Sequence, residues 1–567
     1  MYEMKEGEIT MYNLLVGGAA GQGVETTVAM LEKLLKKSGY FVFTIRDFMS
    51  RIRGGHNFSI IRFGTERITS HSAKLDGIIA LNDETVLIHR DELKTGGFIL
   101  CDKSLKTDDS RALKLDLDSS AKELGNIRVS GSIAVGAILK LFGNNLDFVD
   151  EVLEAAVKEE VREINKKAFE LGYGLVETKY QHLEGPFKDY MVISGSEALG
   201  LGAIAAGLQF YSAYPMSPST AVLEYIAGQG DRANIVVEQA EDEIAGINMA
   251  IGASFAGARA MTGTSGGGFC LKVEALGLSG IAEIPLVVVD VQRPGPATGL
   301  PTRTEQSDLK FVVSASQGEF PRLVIALRNH EDAFYQTARA LNLAEKYQIP
   351  VIVLSDQYLG DSTATVKPYD LSMIKTYTYS DPSEVEGEYL RYRFTEDGIS
   401  PRLIPGKSQH LVAADSDEHD EKGHIIEGSE ERIQMMDKRM KKIEKLIEED
   451  LQEPEFFGEE DCDTLLVGWG SVYGPIVDAL GQLKGDTGHK YGALVFGDVY
   501  PLPQKLFNKY SKQAKHIINI EQNATGQLAD LIAEATGVFC TSSILKYDGR
   551  QISGDEIAEK LREGGRK

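Results

Sequence analysis

The chain is expected to fold as a multidomain α/β protein, and three patterns carry that expectation. Apolar runs at 284 to 291 and 350 to 355 lack polar alternation, as strands covered on both faces do. Small-residue helical stretches separate such runs, which favours parallel sheets. Strands run into glycine turns and then helices at 11 to 37 and again from 464 onward. The 567 residues leave room for about four domains, each able to bury a core.

Composition narrows the partners. A net charge of −24 and a pI near 5.0 argue against nucleic-acid or membrane-surface binding. No apolar window of about 18 residues occurs, and the N-terminus lacks a basic-then-apolar signal, so a cytoplasmic protein is expected. Cys101, Cys270, Cys462 and Cys540 are scattered, with no Cys-x-x-Cys pair for a cluster or a zinc site. They read as buried structural thiols, and no metal site is expected in this chain.

Residues 10 to 185 read as one α/β domain. A strand at 11 to 17 enters Gly17-Gly18-Ala19-Ala20-Gly21-Gln22-Gly23, followed by a helix at about 24 to 37. Such a junction lets backbone N–H groups and a helix N-terminus meet an anionic group. The spacing Gly18-x-x-Gly21-x-Gly23 is not that of dinucleotide-binding loops, which weakens a nicotinamide reading. A strand at 39 to 44 then leads to Ser50-Arg51-Ile52-Arg53-Gly54-Gly55-His56-Asn57, where Arg51 and Arg53 can offer guanidinium forks to phosphate. A tight turn with solvated charges accounts for the same residues without a ligand, and is the commoner outcome for an isolated glycine loop.

A linker at 183 to 188 precedes a second segment, 190 to 365, where the chemistry concentrates. Strands are expected at 209 to 213 and 235 to 238. Tyr214-Pro215-Met216-Ser217-Pro218 is a stiff turn that leaves the Ser217 hydroxyl little freedom. Glu238-Gln239-Ala240-Glu241-Asp242-Glu243 leads into a helix at 244 to 258. An acid there is either a solvated first-turn residue favoured by the helix dipole or one fixed in an apolar wall. Glu241 and Asp242 suit the first role; Glu243 fits either. Downstream stand Thr262-Gly-Thr264-Ser265-Gly-Gly-Gly268, then Gln292-Arg293-Pro294-Gly295, and Gly299-Leu-Pro-Thr-Arg303-Thr-Glu305.

The remaining segments are a connector at 366 to 455 and a further α/β unit at 460 to 567. The connector carries Asp415-Ser-Asp417-Glu418-His419-Asp420-Glu421-Lys-Gly423-His424, which has no clean ligand spacing, and a charged amphipathic helix at about 429 to 451. The last unit should have strands at 464 to 467, 492 to 496, 517 to 521 and about 537 to 541, with Pro501-Leu502-Pro503 opening a helix.

The order and spacing from Tyr214 to Glu305 resemble the pyrimidine-binding domain of the alpha subunit of 2-oxoacid:ferredoxin oxidoreductases, which use thiamine diphosphate. The glycine loop with its downstream Arg-Gly-Gly resembles the gamma domain of the same enzymes, fused ahead of the alpha part. The last unit looks like a transketolase C-terminal-type domain, and the connector has similar Asp-Gly-Ile-Ser-Pro and Glu-His-Asp-Glu stretches in alpha subunits.

The resemblance implies roles. Glu243 lies where the family carries the glutamate that hydrogen-bonds the aminopyrimidine of thiamine diphosphate. Ser217 and Tyr214 belong to a turn that is more often Tyr-Pro-Ile-Thr-Pro, and here has Met for Ile and Ser for Thr; both changes keep size or hydroxyl. Arg293 resembles the arginine that binds the 2-oxoacid carboxylate, although a strand-end arginine paired with a nearby acid is a frequent alternative. Arg303 resembles a loop cation that reaches a distal carboxylate, which favours 2-oxoglutarate over pyruvate. Thr264 and Ser265 are expected to line the same cavity, or to serve the turn alone. In the gamma domain the family binds coenzyme A, which assigns it to Gly18, Gly21, Gly23, Arg51 and Arg53.

No Gly-Asp-Gly with a following Asn occurs, so the diphosphate half of the cofactor site is missing. The resemblance therefore implies a beta subunit that brings that half together with Mg²⁺ and a [4Fe–4S] cluster, an (αβ)₂ assembly, and ferredoxin as electron acceptor. The reaction implied is coenzyme A-dependent oxidative decarboxylation of a 2-oxoacid, 2-oxoglutarate first, with pyruvate or a broad range as the nearest alternative. A thiamine enzyme working without ferredoxin, and a non-catalytic coenzyme A-binding module, are the readings from other classes.

Overall fold

The computed structural model describes residues 11–49, 55–485 and 488–563, and among them divides the chain into two compact units. The first takes the residues up to 193 together with 361–368 and 553–555; the second takes the rest.

The first unit is built on an eight-stranded mixed sheet. In spatial order its strands are Ala112–Leu115, Leu93–Asp102, Leu75–Ala80, Met11–Ala19, His56–Gly64, Phe41–Asp47, Thr363–Val366 and Met191–Ser194. The strand His56–Gly64 runs antiparallel to both of its neighbours and sits where the sequence suggested only a glycine turn. The helix Val24–Lys37 has the expected bounds, and buries Val24, Val28, Leu31 and Leu35, spaced for one helical face. The expected linker at 183 to 188 packs closely: a Cβ on Gly39, whose φ is 98°, would stand 2.7 Å from the Gly185 carbonyl oxygen.

The second unit holds a seven-stranded sheet in the order Asp498–Tyr500, Leu323–Ala326, Pro350–Asp356, Leu286–Gln292, Ala260–Thr264, Phe210–Ala213 and Val236–Gln239. All pairings but the first are parallel. Leu286–Gln292 and Pro350–Asp356 are buried along their whole length, which is why they carry no alternation. A second sheet orders Glu455–Gly458, Tyr491–Phe496, Thr464–Trp469, His516–Glu521 and Ser542–Leu545. The last strand lies beyond the expected 537 to 541, because Gly537, at φ 73°, first terminates the helix Gln527–Thr536. The helix expected at Pro501-Leu502-Pro503 starts only at Lys505.

The charged helix of the connector, Ser429–Glu449, buries Met435, Lys438, Arg439, Lys442 and Leu446. The Lys438 ammonium meets Glu283 at 2.6 Å, and Lys442 holds the other oxygen of the same carboxylate. Within the acidic/histidine cluster, Glu418 accepts from Arg439 at 2.7 and 2.8 Å, and the His419 ring lies 3.9 Å from that of Tyr392. Among the described residues, no group of three or more His, Cys, Asp or Glu side chains is placed to hold a metal ion. Among the described residues, no helix is long and apolar enough to cross a membrane. Cys101 and Cys462 are buried as expected, Cys540 is partly so, and Cys270 is exposed.

Candidate active site

The site forms at the carboxyl ends of the parallel strands, where loops leave for helices on either face. Past the end of Val236–Gln239, Asp242 caps the helix Glu243–Phe255 by accepting the Ala245 N–H at 2.7 Å. Capping occupies Asp242, and Glu241 is exposed. Glu243 alone of the three turns inward, 7% exposed. The expected helix thus begins one residue earlier, with Glu243 in its first position.

Facing it is the helix Gly266–Ile281. At Gly268 a Cβ would stand 2.2 Å from Thr264 Oγ1 and 2.7 Å from Glu243 Oε1, so glycine is what leaves the carboxyl its place. One turn on, fully buried Lys272 donates to the Glu243 carbonyl oxygen at 3.1 Å and to Thr262 Oγ1 at 3.0 Å. Burial pulls the Lys272 ammonium down to about 8, against the pull of the Glu243 and Asp242 carboxylates.

The turn Tyr214 to Pro218 reaches the same place. Thr264 Oγ1 lies 3.7 Å from Met216 Sδ, and Arg293 Nη1 donates to the Ser217 carbonyl oxygen at 2.5 Å. Tyr214 and Ser217 are exposed, whereas Thr264, Ser265 and Arg293 are buried. Ser265 precedes the helix Gly266–Ile281 without capping it, and its Oγ has no protein partner. Arg293 Nε is likewise buried without a partner. A guanidinium N–H and a hydroxyl left in this state are costly unless a ligand completes them. Glu243, Ser217, Tyr214, Thr264, Ser265 and Arg293 therefore gather at one end of one sheet.

Arg303 stands on the following loop. There Gly299, at φ 53°, lets the chain pass so close to Pro294 that a Cβ would fall 1.8 Å from its carbonyl oxygen. Arg303 Nη1 donates to the Thr302 carbonyl oxygen at 3.2 Å, and its Cβ packs at 3.2 Å from the Cβ position of Gly549. The loop is anchored beyond it: Gln306 N donates to the Gln522 carbonyl at 2.7 Å and its amide to the Trp469 carbonyl at 2.8 Å.

In the first unit, Gly18 lies in the strand Met11–Ala19, while Gly21 and Gly23 have φ of 93° and 85° and face open space. Gly23 precedes the helix Val24–Lys37 with no side-chain cap, so the first N–H groups of that helix keep their donor capacity. Arg51 and Arg53 lie outside the described residues.

Sequence reasoning passed over Lys272, Asp290 and Asp308. Two signals mark them. Lys272 falls on the face of its helix that Phe269 and Leu276 bury, and Asp290 interrupts an otherwise apolar strand.

A parallel sheet with a buried carboxyl at a helix N-terminus, unpaired donors beside it and a glycine-only wall fits an aminopyrimidine and a small anionic acid. Such a lining suits the pyrimidine half of a thiamine-diphosphate site. Residues 201–438 match the family model described as pyruvate flavodoxin/ferredoxin oxidoreductase, thiamine diphosphate-binding, and residues 13–175 match pyruvate ferredoxin/flavodoxin oxidoreductase. The 2-oxoacid:ferredoxin oxidoreductase subunit alpha of a Sulfolobus species is 33% identical over 96% of both chains. The 2-oxoglutarate oxidoreductase subunit KorA of Mycobacterium tuberculosis is 32% identical over 77% of this chain and 68% of its own. A solved 2-oxoglutarate:ferredoxin oxidoreductase from Magnetococcus marinus, with 2-oxoglutarate, coenzyme A and succinyl-CoA bound, has a TM-score of 0.91 at 31% identity, covering 98% of this chain and all of that one. The chain belongs to the 2-oxoacid:ferredoxin oxidoreductases, as an alpha subunit. It is one part of an enzyme and implies a partner subunit.

Proposed function

We propose that this chain, with a beta subunit, converts a 2-oxoacid and coenzyme A to an acyl-CoA and CO₂, passing two electrons singly to ferredoxin, with 2-oxoglutarate as the favoured acid. One observation carries the reading: the buried Glu243 carboxyl lies with Thr264 against Gly268, at the end of the sheet that also holds the unpartnered Ser265 Oγ and Arg293 Nε. Thiamine diphosphate, when bound, supplies the nucleophilic carbon that lets a 2-oxoacid lose CO₂. Glu243 holds its aminopyrimidine by a hydrogen bond in a wall that keeps water away. Arg293 offers its free Nε–H to the substrate carboxylate, with Ser217 and Tyr214 at the rim and Thr264 and Ser265 along the wall. Arg303 serves a distal carboxylate.

The segments 10–185, 190–365, 366–455 and 460–567 divide the work as coenzyme A-associated domain, pyrimidine domain, connector and assembly domain. Coenzyme A phosphates meet Gly18, Gly21 and Gly23, helped by Arg51 and Arg53. The beta subunit brings the diphosphate site, Mg²⁺ and a [4Fe–4S] cluster in an (αβ)₂ cytoplasmic enzyme. A broad 2-oxoacid range is the second reading, favoured by relatives named for 2-oxoacids in general. The reconstituted complex, assayed with ferredoxin across pyruvate, 2-oxobutyrate and 2-oxoglutarate, tests the choice. A marked preference for 2-oxoglutarate that Arg303→Ala erases supports the first reading, and equal rates overturn the role of Arg303.

A further inference from the structure

On the strand Leu286–Gln292, side chains of alternate residues share a face. Leu286 and Val288 pack into the core there, and Asp290 and Gln292 continue the row to the carboxyl end of the strand. Asp290 has no exposed surface, and neither of its carboxyl oxygens has a protein partner. Gln292 Oε1 accepts the Asp308 N–H at 3.1 Å, which brings Asp308 onto the same face. Asp308 occupies the N-cap position of the helix Leu309–Ser314, where an aspartate ordinarily bonds the first-turn N–H groups. It makes no such bond. Its carboxyl turns instead toward Gly266, where a Cβ would stand 2.5 Å from Oδ2, and that oxygen too is buried without a partner.

Two carboxyls enclosed together resist double ionisation, so one keeps its proton after the other has lost its own. Burial, then the neighbour Asp308, raises Asp290 well above the carboxylate range. Burial, then Glu305, pushes Asp308 up to about 7, while the Arg293 guanidinium pulls the other way. The other groups facing the pair are the Cys270 thiol, which burial and both carboxyls raise, and Asp356 on the adjoining strand, whose hydrogen bonds from Leu359 and Tyr358 N–H occupy it.

We propose that Asp308, enclosed with the protonated Asp290, is a positioning residue for Arg293: the proton that Asp308 retains keeps the guanidinium available to the carboxylate of the incoming 2-oxoacid. Loss of that proton gives Arg293 an anion of its own to neutralise and sets a negative charge beside the substrate carboxylate. Acid binding and proton retention are therefore linked, each favouring the other. The inference rests on the reading of Arg293 as the carboxylate receptor.

The reconstituted αβ complex provides the test. KM for the 2-oxoacid should rise with pH above neutrality, approaching about tenfold per pH unit, while kcat changes little. Asp308→Asn should flatten that rise, whereas Asp290→Asn, which mimics the protonated acid, should leave it in place. Calorimetric titration of the wild-type complex with 2-oxoacid, in buffers of differing ionisation enthalpy, should show proton uptake near neutral pH whether or not the variants fold. Arg293→Ala should raise KM at every pH. A wild-type complex that takes up no proton, or an Asp308→Asn complex with an unchanged pH profile, overturns the role of the pair even where Arg293→Ala behaves as expected. An Arg293→Ala complex with unchanged KM overturns the receptor reading itself.

Discussion

The Lys272 ammonium, buried on the helix Gly266–Ile281, donates to the main-chain carbonyl of Glu243 at 3.1 Å, so the acid is fixed by its backbone while its carboxyl stays available. A positive charge with no exposed surface is an expensive way to hold a carbonyl. Its fall from 10.5 to about 8 corresponds to on the order of 3 kcal/mol against folding at neutral pH. Lys272→Met should therefore leave thermal stability equal or higher near pH 7 and lower the turnover of the complex. The sign with pH follows from proton counts. Between about 8 and 10.5 the unfolded chain binds more protons than the folded one, so the wild type gains stability as pH rises there and the variant does not. Thermal unfolding from pH 7 to 10 checks both; a variant destabilised by more than about 2 kcal/mol at pH 7 contradicts the account.

The helices that frame Glu243 also present an apolar outer face. Ile244 and Met249 on one, and Leu271 on the other, are 51%, 40% and 51% exposed, and the two helices are neighbours. Large apolar side chains exposed on two neighbouring helices beside the site are what an interface would cover. Ile244→Asp with Leu271→Asp should weaken association with the beta subunit by at least about tenfold, with the isolated chain still folded. Sedimentation of the mixed subunits measures it, and unaltered assembly places the interface elsewhere.

Glu283 is the counter-ion of two buried lysines. Removing its charge by Glu283→Gln leaves Lys438 and Lys442 enclosed without an anion and should cost about 3–5 kcal/mol. The two lysines hold the Glu283 carboxyl far below the usual carboxylate range despite its burial. Its contribution is accordingly complete above the unfolded value of 4.5 and is lost as pH falls toward the folded one. Urea unfolding of both proteins at neutral pH, and of the wild type along an acid series, gives the comparison; a loss below about 1 kcal/mol makes the clasp dispensable.

The stiff turn at Tyr214 to Pro218 and the buried strands could be read from the chain because each leaves a local trace, whereas Glu243 suited a solvated first turn equally well until the resemblance singled it out. A continuous apolar run or a proline pair depends on few distant contacts. The charges of the connector leave no such trace. Lys438 and Lys442 look like solvated residues of a polar helix until Glu283, 155 positions from Lys438, is brought under them. Lys272 and Asp290 do leave a trace, a charge on a buried helix face and a charge in an apolar strand, but groups distant in the chain decide whether such a charge is tolerated. The strand His56–Gly64 was missed because its residues follow a glycine turn and are buried by two antiparallel neighbours, one of them distant in the chain.

In the proposed reaction the Glu243 carboxyl serves the aminopyrimidine of the cofactor. Turnover of 2-oxoglutarate by the reconstituted complex carrying Glu243→Gln, with thiamine diphosphate, coenzyme A and ferredoxin in excess, decides whether it does. A neutral amide of the same shape should lower kcat by at least about 100-fold with assembly and melting temperature unchanged. A complex that keeps near wild-type turnover contradicts the claim.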